Sequence, residues 1–340
     1  MSIFLPELTE RRKGKPRTAG NTMVLDRIAY GTAEVVESLS GFIDTVKIGW
    51  GIPLILDARA LRERVSFYAR HDIHVSNGGT MLEIAVTKGR YLHTLSSLKD
   101  AGFNTIELSE GIVDIPSNIK SKIAEFAHSN GLRLHVEVGK KDPRNQLSLD
   151  ETIVGVERAF DFGPEAVIIE GRETGRGVEI YDEAGNIKWD WVEGILNVSR
   201  PSLLMFEAPL ERQQTELILR VGQEVNLGNV SFASVAALET QRQGFRGDTF
   251  GVAAPSPEVG GGPASKFVYY MLSTHGSMDQ SKIVRSTGLT RRTVQKALDT
   301  LIRSALIREN RDQHDYRRKV YSPIHRLPSM KHDVTGEKHR

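Results

Sequence analysis

The chain has 340 residues, 39% hydrophobic and 26% charged, which suits a globular protein with one large domain and a small one. It contains no cysteine, so disulfides, thiolate metal sites and cysteine nucleophiles are excluded. The net charge of +2 hides an asymmetry: residues 266–340 hold 16 Lys and Arg against 7 Asp and Glu, a surplus of nine, which leaves 1–265 with a deficit of seven. An acidic body with a basic tail points to two modules with different partners.

Residues 1–20 are polar and basic and read as a flexible arm. The run Arg11-Arg-Lys-Gly-Lys-Pro-Arg17 has no apolar segment of signal-peptide type, and no stretch of 18 apolar residues occurs. No membrane partner is expected, and a cytoplasmic location follows by default. From Thr22 onward, short apolar strands alternate with helical patterns. The strands expected are 22–25, 45–48, 73–75, 105–108, 132–138, 166–169, 203–206 and 224–227, with helical stretches at 58–70, 91–101, 119–130, 151–162, 189–197 and 213–221. Eight strands spaced roughly 20 to 37 residues apart predict an α/β fold of the (β/α)8 TIM-barrel class over 21–250. A doubly wound sheet is the alternative, but no G-x-G-x-x-G follows the first strand. Residues 251–265 carry three prolines and Gly260-Gly-Gly262, a linker composition.

In such a barrel the chemistry sits at the C-terminal ends of the strands. Asp26 closes the first expected strand and Lys47 lies in the second. Glu107, Glu137, Glu170 and Glu207 fall at the fourth to seventh, and Asn226 at the eighth. An ionised carboxylate in an apolar strand is costly unless paired or metal-bound. Four of them, with Lys47, Lys140, Lys141 and Arg172 nearby, point to a polar active site rather than to structure alone. Carboxylates without cysteine, and without an H-x-x-x-H or H-x-H pair, favour Mg2+ or Mn2+ over zinc. The loop Glu170-Gly-Arg-Glu-Thr-Gly-Arg-Gly177 supplies forked donors and close backbone approach for an anionic substrate.

The pieces Val24-Leu-Asp26, Lys47-Ile-Gly-Trp-Gly51, Gly78-Gly-Thr-Met-Leu-Glu83 and Ile106-Glu-Leu-Ser109 make a connected pattern. It continues with Glu137-Val-Gly-Lys-Lys141, Ile168-Ile-Glu-Gly-Arg-Glu-Thr-Gly-Arg-Gly177, Phe206-Glu-Ala-Pro209, Val225-Asn-Leu-Gly-Asn229 and Arg246-Gly-Asp-Thr-Phe-Gly251. With these pieces the chain over about 22–251 resembles the phosphosulfolactate synthase family. The resemblance implies Mg2+-dependent addition of sulfite to phosphoenolpyruvate on a barrel that forms a homo-oligomer, often a trimer in the family. It implies Lys141 as proton donor, with Lys140 as alternative. It also implies Glu107, Glu137, Glu170 and Glu207 as metal-ligand candidates. Lys47, Gly78, Gly79, Arg172, Asn226 and Arg246 would bind substrate. Ile52, Asn77 and Glu110 depart from the family's usual residues and bear on pocket shape. An alternative for the whole chain is a transcription regulator whose barrel senses a phosphorylated or sulfonated metabolite.

The segment 266–326 predicts helices at 267–273, 279–286 and 291–303, then strands at 306–309 and 319–321 flanking a charged hairpin, and 327–340 reads as a flexible tail. On the third helix Val294, Leu298, Leu301 and Ile302 share one face. The pattern resembles a small α+β winged helix-turn-helix. Arg291, Arg292, Gln295, Lys296, Arg317 and Arg318 are its candidate contacts to double-stranded DNA, with a protein-interaction module as the other reading.

Overall fold

The computed structural model describes residues 4–5, 12–142, 144–250, 262–275, 277–304, 306–311 and 318–323. The linker expected over 251–265 falls mostly outside these residues, as do Arg317 and the tail 327–340. The chain divides into two compact units, Met1–Arg242 and Gln243–Arg340.

In the first unit eight parallel strands close into a barrel in chain order: β1 (Thr22–Asp26), β2 (Thr45–Ile48), β3 (His74–Ser76), β4 (Thr105–Leu108), β5 (Arg133–Val138), β6 (Ala166–Ile169), β7 (Leu204–Glu207) and β8 (Asn226–Val230). β8 pairs with β1 and removes both sheet edges. The helices around it are α1 (Thr32–Leu39), α2 (Ala58–Ala69), α3 (Gly79–Thr87), α4 (Tyr91–Asp100), α5 (Ser117–Ser129), α6 (Leu149–Phe160), α7 (Trp189–Leu196), α8 (Glu211–Arg220) and α9 (Val235–Arg242). Local sequence sets several of their starts. Asp57 caps α2 by accepting from the Arg59 and Ala60 N–H groups, and Ser148 with Glu151 forms a capping box on α6. On α6 the residues Thr152, Val156, Ala159 and Phe160 follow helical spacing and are buried.

Side chains alternate across each strand. Val24, Val46, Ile106 and Val167 are fully buried apolar residues of the strands, and burying such a side chain is worth about 1.5–3 kcal/mol. The inward positions mix apolar residues such as Met23 and Ile168 with charged ones. Lys47, Glu137 and Glu207 line a cavity of ≈ 190 Å³ at the C-terminal end of the strands. Two residues earlier, Thr45, His135 and Met205 line one of ≈ 330 Å³ at the other end.

Residues 12–20, expected to be a flexible arm, are tied to the barrel instead. Arg12 pairs with Glu239 at 2.5 Å, Arg17 pairs with Asp44 at 2.7 Å with both side chains buried, and the Gly20 N–H donates to the Glu224 carbonyl. Basic residues in a tail look solvated until their buried carboxylate partners are placed.

The second unit holds α10 (Pro263–His275), β9 (Met278–Asp279), α11 (Gln280–Thr287), α12 (Arg291–Arg303), β10 (Ile307–Arg311) and β11 (Lys319–Pro323). The strands make an antiparallel sheet in the order β10-β11-β9. Val268, Leu272, Ile283, Val294, Leu298 and Leu301 sit in its core. Ile302, expected on the core face of α12, is 36% exposed, while Ala297 is buried in its place. Among the described residues no helix is long and apolar enough to cross a membrane.

Candidate active site

The site is built from strand ends. Lys47 Nζ lies 2.8 Å from Glu207 Oε1 and 3.0 Å from both Glu107 Oε1 and Glu137 Oε2. Lys141 Nζ reaches the other oxygen of Glu137 and lies 2.8 Å from Glu170 Oε2. All four glutamates are buried. Backbone donors orient three of them: the Gly79 N–H reaches Glu107 Oε1 at 2.7 Å, the Gly171 N–H reaches Glu207 Oε2 at 3.0 Å, and the Arg172 N–H reaches Glu170 Oε1.

Glycine makes the first of these contacts possible. Gly78 has φ +66°, and a Cβ there would lie 2.9 Å from Gly49 Cα; a Cβ on Gly79 would lie 2.0 Å from Ser109 Oγ. The ends of β2, β3 and β4 thereby close up on one another.

Four carboxylates face two ammoniums, and the electrostatics follow. Burial opposes the charge on Lys47, but the carboxylates of Glu107, Glu207 and Glu137 outweigh it and hold the amine protonated. Lys141 is likewise kept an ammonium, its desolvation outweighed by Glu137 and Glu170. Glu137, between the two lysines, stays ionised well below the usual carboxylate range; desolvation works against this, and Lys141 and Lys47 prevail. Burial pushes Glu107 up to about 7 against the attraction of Lys47. It pushes Glu170 up as well, helped by Glu137 and Glu207.

Glu137, Glu170 and Glu207 each offer an oxygen within 4.8 Å of the others. Glu170 Oε2 is buried and makes an ion contact with Lys141 but no hydrogen bond, and Glu107 Oε2 has no partner. An all-oxygen donor set of three converging carboxylates fits a hard dication such as Mg2+.

The remaining expected residues divide. Arg172 lines the mouth; its N–H donates to Glu170 Oε1 at 2.7 Å, and its guanidinium, 3.7 Å from Glu173, is partly exposed. Lys140 points elsewhere: its Nζ donates to the Glu110 carbonyl and to Asp114 Oδ1. Lys47, expected to meet an anion, is enclosed by carboxylates. Asn226 lies not at the C-terminal end of its strand but opens β8, where it bonds Asn21 and the Ser202 and Leu204 carbonyls. Asn229, three residues on, lines the cavity in its stead and donates to the Arg172 carbonyl. The expected strand at 224–227 ran two to three residues early because Asn-Leu-Gly-Asn has no apolar run. Arg246 belongs to the second unit, where it pairs with Asp248. Asp26 is a structural ion-pair centre: Arg64 and the Tyr68 hydroxyl both donate to it. Sequence reasoning also missed Trp50, which lines the cavity 54% exposed with Arg27 over its ring.

In the second unit Arg291, Arg292, Gln295 and Lys296 share one exposed patch with Gln280 and Asp299. Gln280 donates to Gln295 Oε1, and Gln295 donates to Asp299. Arg318 pairs with Asp279 at 2.9 Å rather than standing free beside that patch.

Comparison with known proteins identifies a family for the barrel. The family described as (2R)-phospho-3-sulfolactate synthase (ComA) matches residues 10–248. A phosphosulfolactate synthase from Methanothermobacter thermautotrophicus is 37% identical over 249 residues, 72% of this chain and 96% of that protein. One from Bacillus subtilis is 33% identical, over 74% of this chain and 99% of its own. The protein HEAT-STRESS-ASSOCIATED 32 of Arabidopsis thaliana is 23% identical, over 69% of this chain and 90% of its own.

Proposed function

The chain belongs to the phosphosulfolactate synthase family, and from that membership we propose that its barrel adds sulfite to phosphoenolpyruvate to give (2R)-phospho-3-sulfolactate. It is an enzyme of this carbon–sulfur lyase kind. The observation that carries the assignment of roles is the position of Lys141. Its ammonium enters the carboxylate cluster, and that of the adjacent Lys140 does not.

The sulfite sulfur lone pair forms a bond to C3, and the C2–C3 π pair moves toward C2 and the substrate carboxylate. Lys141, held protonated by Glu137 and Glu170, gives its proton to C2. The phosphate stays on its oxygen, and no redox partner is needed. Arg172, at the mouth, takes an anionic group of the substrates. Lys47 holds Glu107, Glu137 and Glu207 in place from beneath. Glu137, Glu170 and Glu207 would hold Mg2+, which when bound supplies Lewis-acid stabilisation of the charge developing on the substrate carboxylate.

The test is incubation of the purified protein with phosphoenolpyruvate, sulfite and Mg2+, with mass spectrometry of the products. A sulfonated phospho-acid that disappears in Lys141→Ala supports the reading. Tight substrate binding without product would move the barrel to the sensor alternative.

For the second unit we propose a winged helix-turn-helix that binds double-stranded DNA. Supporting this, α11 and α12 are joined through Gly288 at φ +68°, Thr290 caps α12, and the exposed face of α12 carries Arg291, Arg292, Gln295 and Lys296. Fluorescence anisotropy on genomic duplex fragments across a salt series tests it. Arg292→Ala with Lys296→Ala is expected to reduce the slope of log K against log salt by about two. No binding at low salt would leave a protein-interaction module as the reading.

A further inference from the structure

We infer that Glu83 is a positioning residue for Lys141, acting through the loop that follows β4. This rests on the reading of Lys141 as the proton donor.

Glu83 lies on α3 and is 1% exposed. Its carboxylate accepts from the Ser109 hydroxyl, from the Ile112 N–H at 2.6 Å and from the Val113 N–H at 2.9 Å. A buried carboxylate is costly unless its hydrogen bonds are made. Here they all go to one loop, gripped on both sides of Gly111.

Gly111 is the link to the site. Its carbonyl accepts the Lys141 N–H at 2.9 Å. Its Cα lies so close to the Lys141 side chain that an added Cβ would be 2.6 Å from Nζ, 2.8 Å from Cγ and 2.9 Å from Cδ. The lysine stem therefore runs along the backbone of this loop, and the loop's path fixes where Nζ meets Glu137 and Glu170. Glu110 secures the other half of the loop, accepting from the Ile115 N–H and pairing with Lys120. Glu83, although outside the cavity lining, thus sets the height of the loop against which the proton donor rests.

The experiment compares Lys141→Ala, Gly111→Ala, Glu83→Ala and Glu83→Gln in the sulfite-addition assay, with thermal melting to establish folding. Gly111→Ala displaces Nζ without touching its charge, and misplacement on the ångström scale costs about a hundredfold in rate. The expected result is a loss of kcat of that order, with KM for both substrates near the parent's, in Gly111→Ala and in Glu83→Ala. A residue that merely holds the fold together would lower the folded fraction and leave kcat per folded molecule unchanged. Glu83→Gln retains activity, since its amide oxygen can accept from Ile112 and Val113 while its N–H donates to Ser109. Parent-like kcat in Gly111→Ala, with Lys141→Ala inactive, overturns the inference alone. A Gln variant as slow as the alanine one also overturns it. Activity retained in Lys141→Ala removes the underlying reading and this inference with it. If Glu83→Ala does not fold, Glu83→Asp decides: its carboxylate falls one methylene short of the Ile112 and Val113 N–H groups, a lower kcat at parent-like KM is expected, and parent-like kcat overturns the inference.

Discussion

Replacing Lys47 by methionine takes away an ammonium that touches Glu107, Glu137 and Glu207 at 2.8–3.0 Å in a buried cluster. Removing one partner of a buried ion pair costs about 3–5 kcal/mol, because the charge left behind is desolvated and unpaired. Three carboxylates lose a partner at once, which places this substitution toward the upper end. The loss also has a pH signature. Burial already raises Glu107 to about 7 while Lys47 opposes the rise, so without Lys47 its folded-state value climbs further. A carboxyl group whose folded value exceeds its unfolded one adds stability below the unfolded value, and that stability is lost as pH rises through the folded one. Lys47→Met is therefore hit hardest near pH 8.5 and recovers part of the loss by pH 5.5. For a barrel of this size the expected drop at pH 8.5 is roughly 10 °C in Tm, measured by calorimetry of the barrel transition in EDTA. An equal drop at both pH values, or a loss under about 1 kcal/mol at pH 8.5, would refute the argument that Lys47 neutralises this cluster.

Other outcomes follow from the same structure. His135 is buried below Glu137, and burial, then Lys47, Arg133 and His74, depress it to about 3. The neutral ring's contribution is present above the unfolded value near 6.5 and is lost as pH falls toward 3, about 2 kcal/mol by pH 5. In His135→Gln the stability difference between pH 8 and pH 5 should shrink by that amount, and unchanged pH dependence in calorimetry would count against it. Deleting residues 1–17 removes Arg12 and Arg17 and leaves Glu239 and Asp44 without those partners. At least about 3 kcal/mol should be lost, and a truncated protein melting with the parent would return these residues to the status of a loose arm. Tyr68→Phe deletes the 2.7 Å bond to Asp26 but leaves Arg64 in place. Urea titration should show a loss of about 1.5 kcal/mol, and no loss would mean that Arg64 alone satisfies the carboxylate.

Much of the barrel could be read because its strands are short apolar runs, and the site because charged residues interrupt them. Glu107, Glu137 and Glu207 stood out as carboxylates at or near the ends of apolar runs, and Lys47 as an ammonium within one; all four converge. What was hidden depends on partners distant in sequence. Lys140 and Lys141 are neighbours in sequence, and only the turn at the end of β5 decides which one enters the cluster. The β8 register was misplaced because Asn226–Val230 has two asparagines and a glycine where the others have aliphatics. Glu83 carried no signal of its role, since its partners are mainly backbone N–H groups 29 and 30 residues away. The anchoring of residues 12–20 was hidden for the same reason.

The charged layer inside the barrel bears on how the enzyme responds to temperature. Where many barrels fill this level with branched aliphatics, this one places Lys47, Glu107, Glu137 and Glu207. Unfolding there exposes polar surface, which lowers the heat-capacity increment where apolar surface would raise it. The desolvation penalty of buried ions also falls on heating. The stability curve of this unit should accordingly be flatter and broader than that of an aliphatic-filled barrel of equal length. Its resistance to heat and to cold would then be set partly by the same carboxylates that form its site.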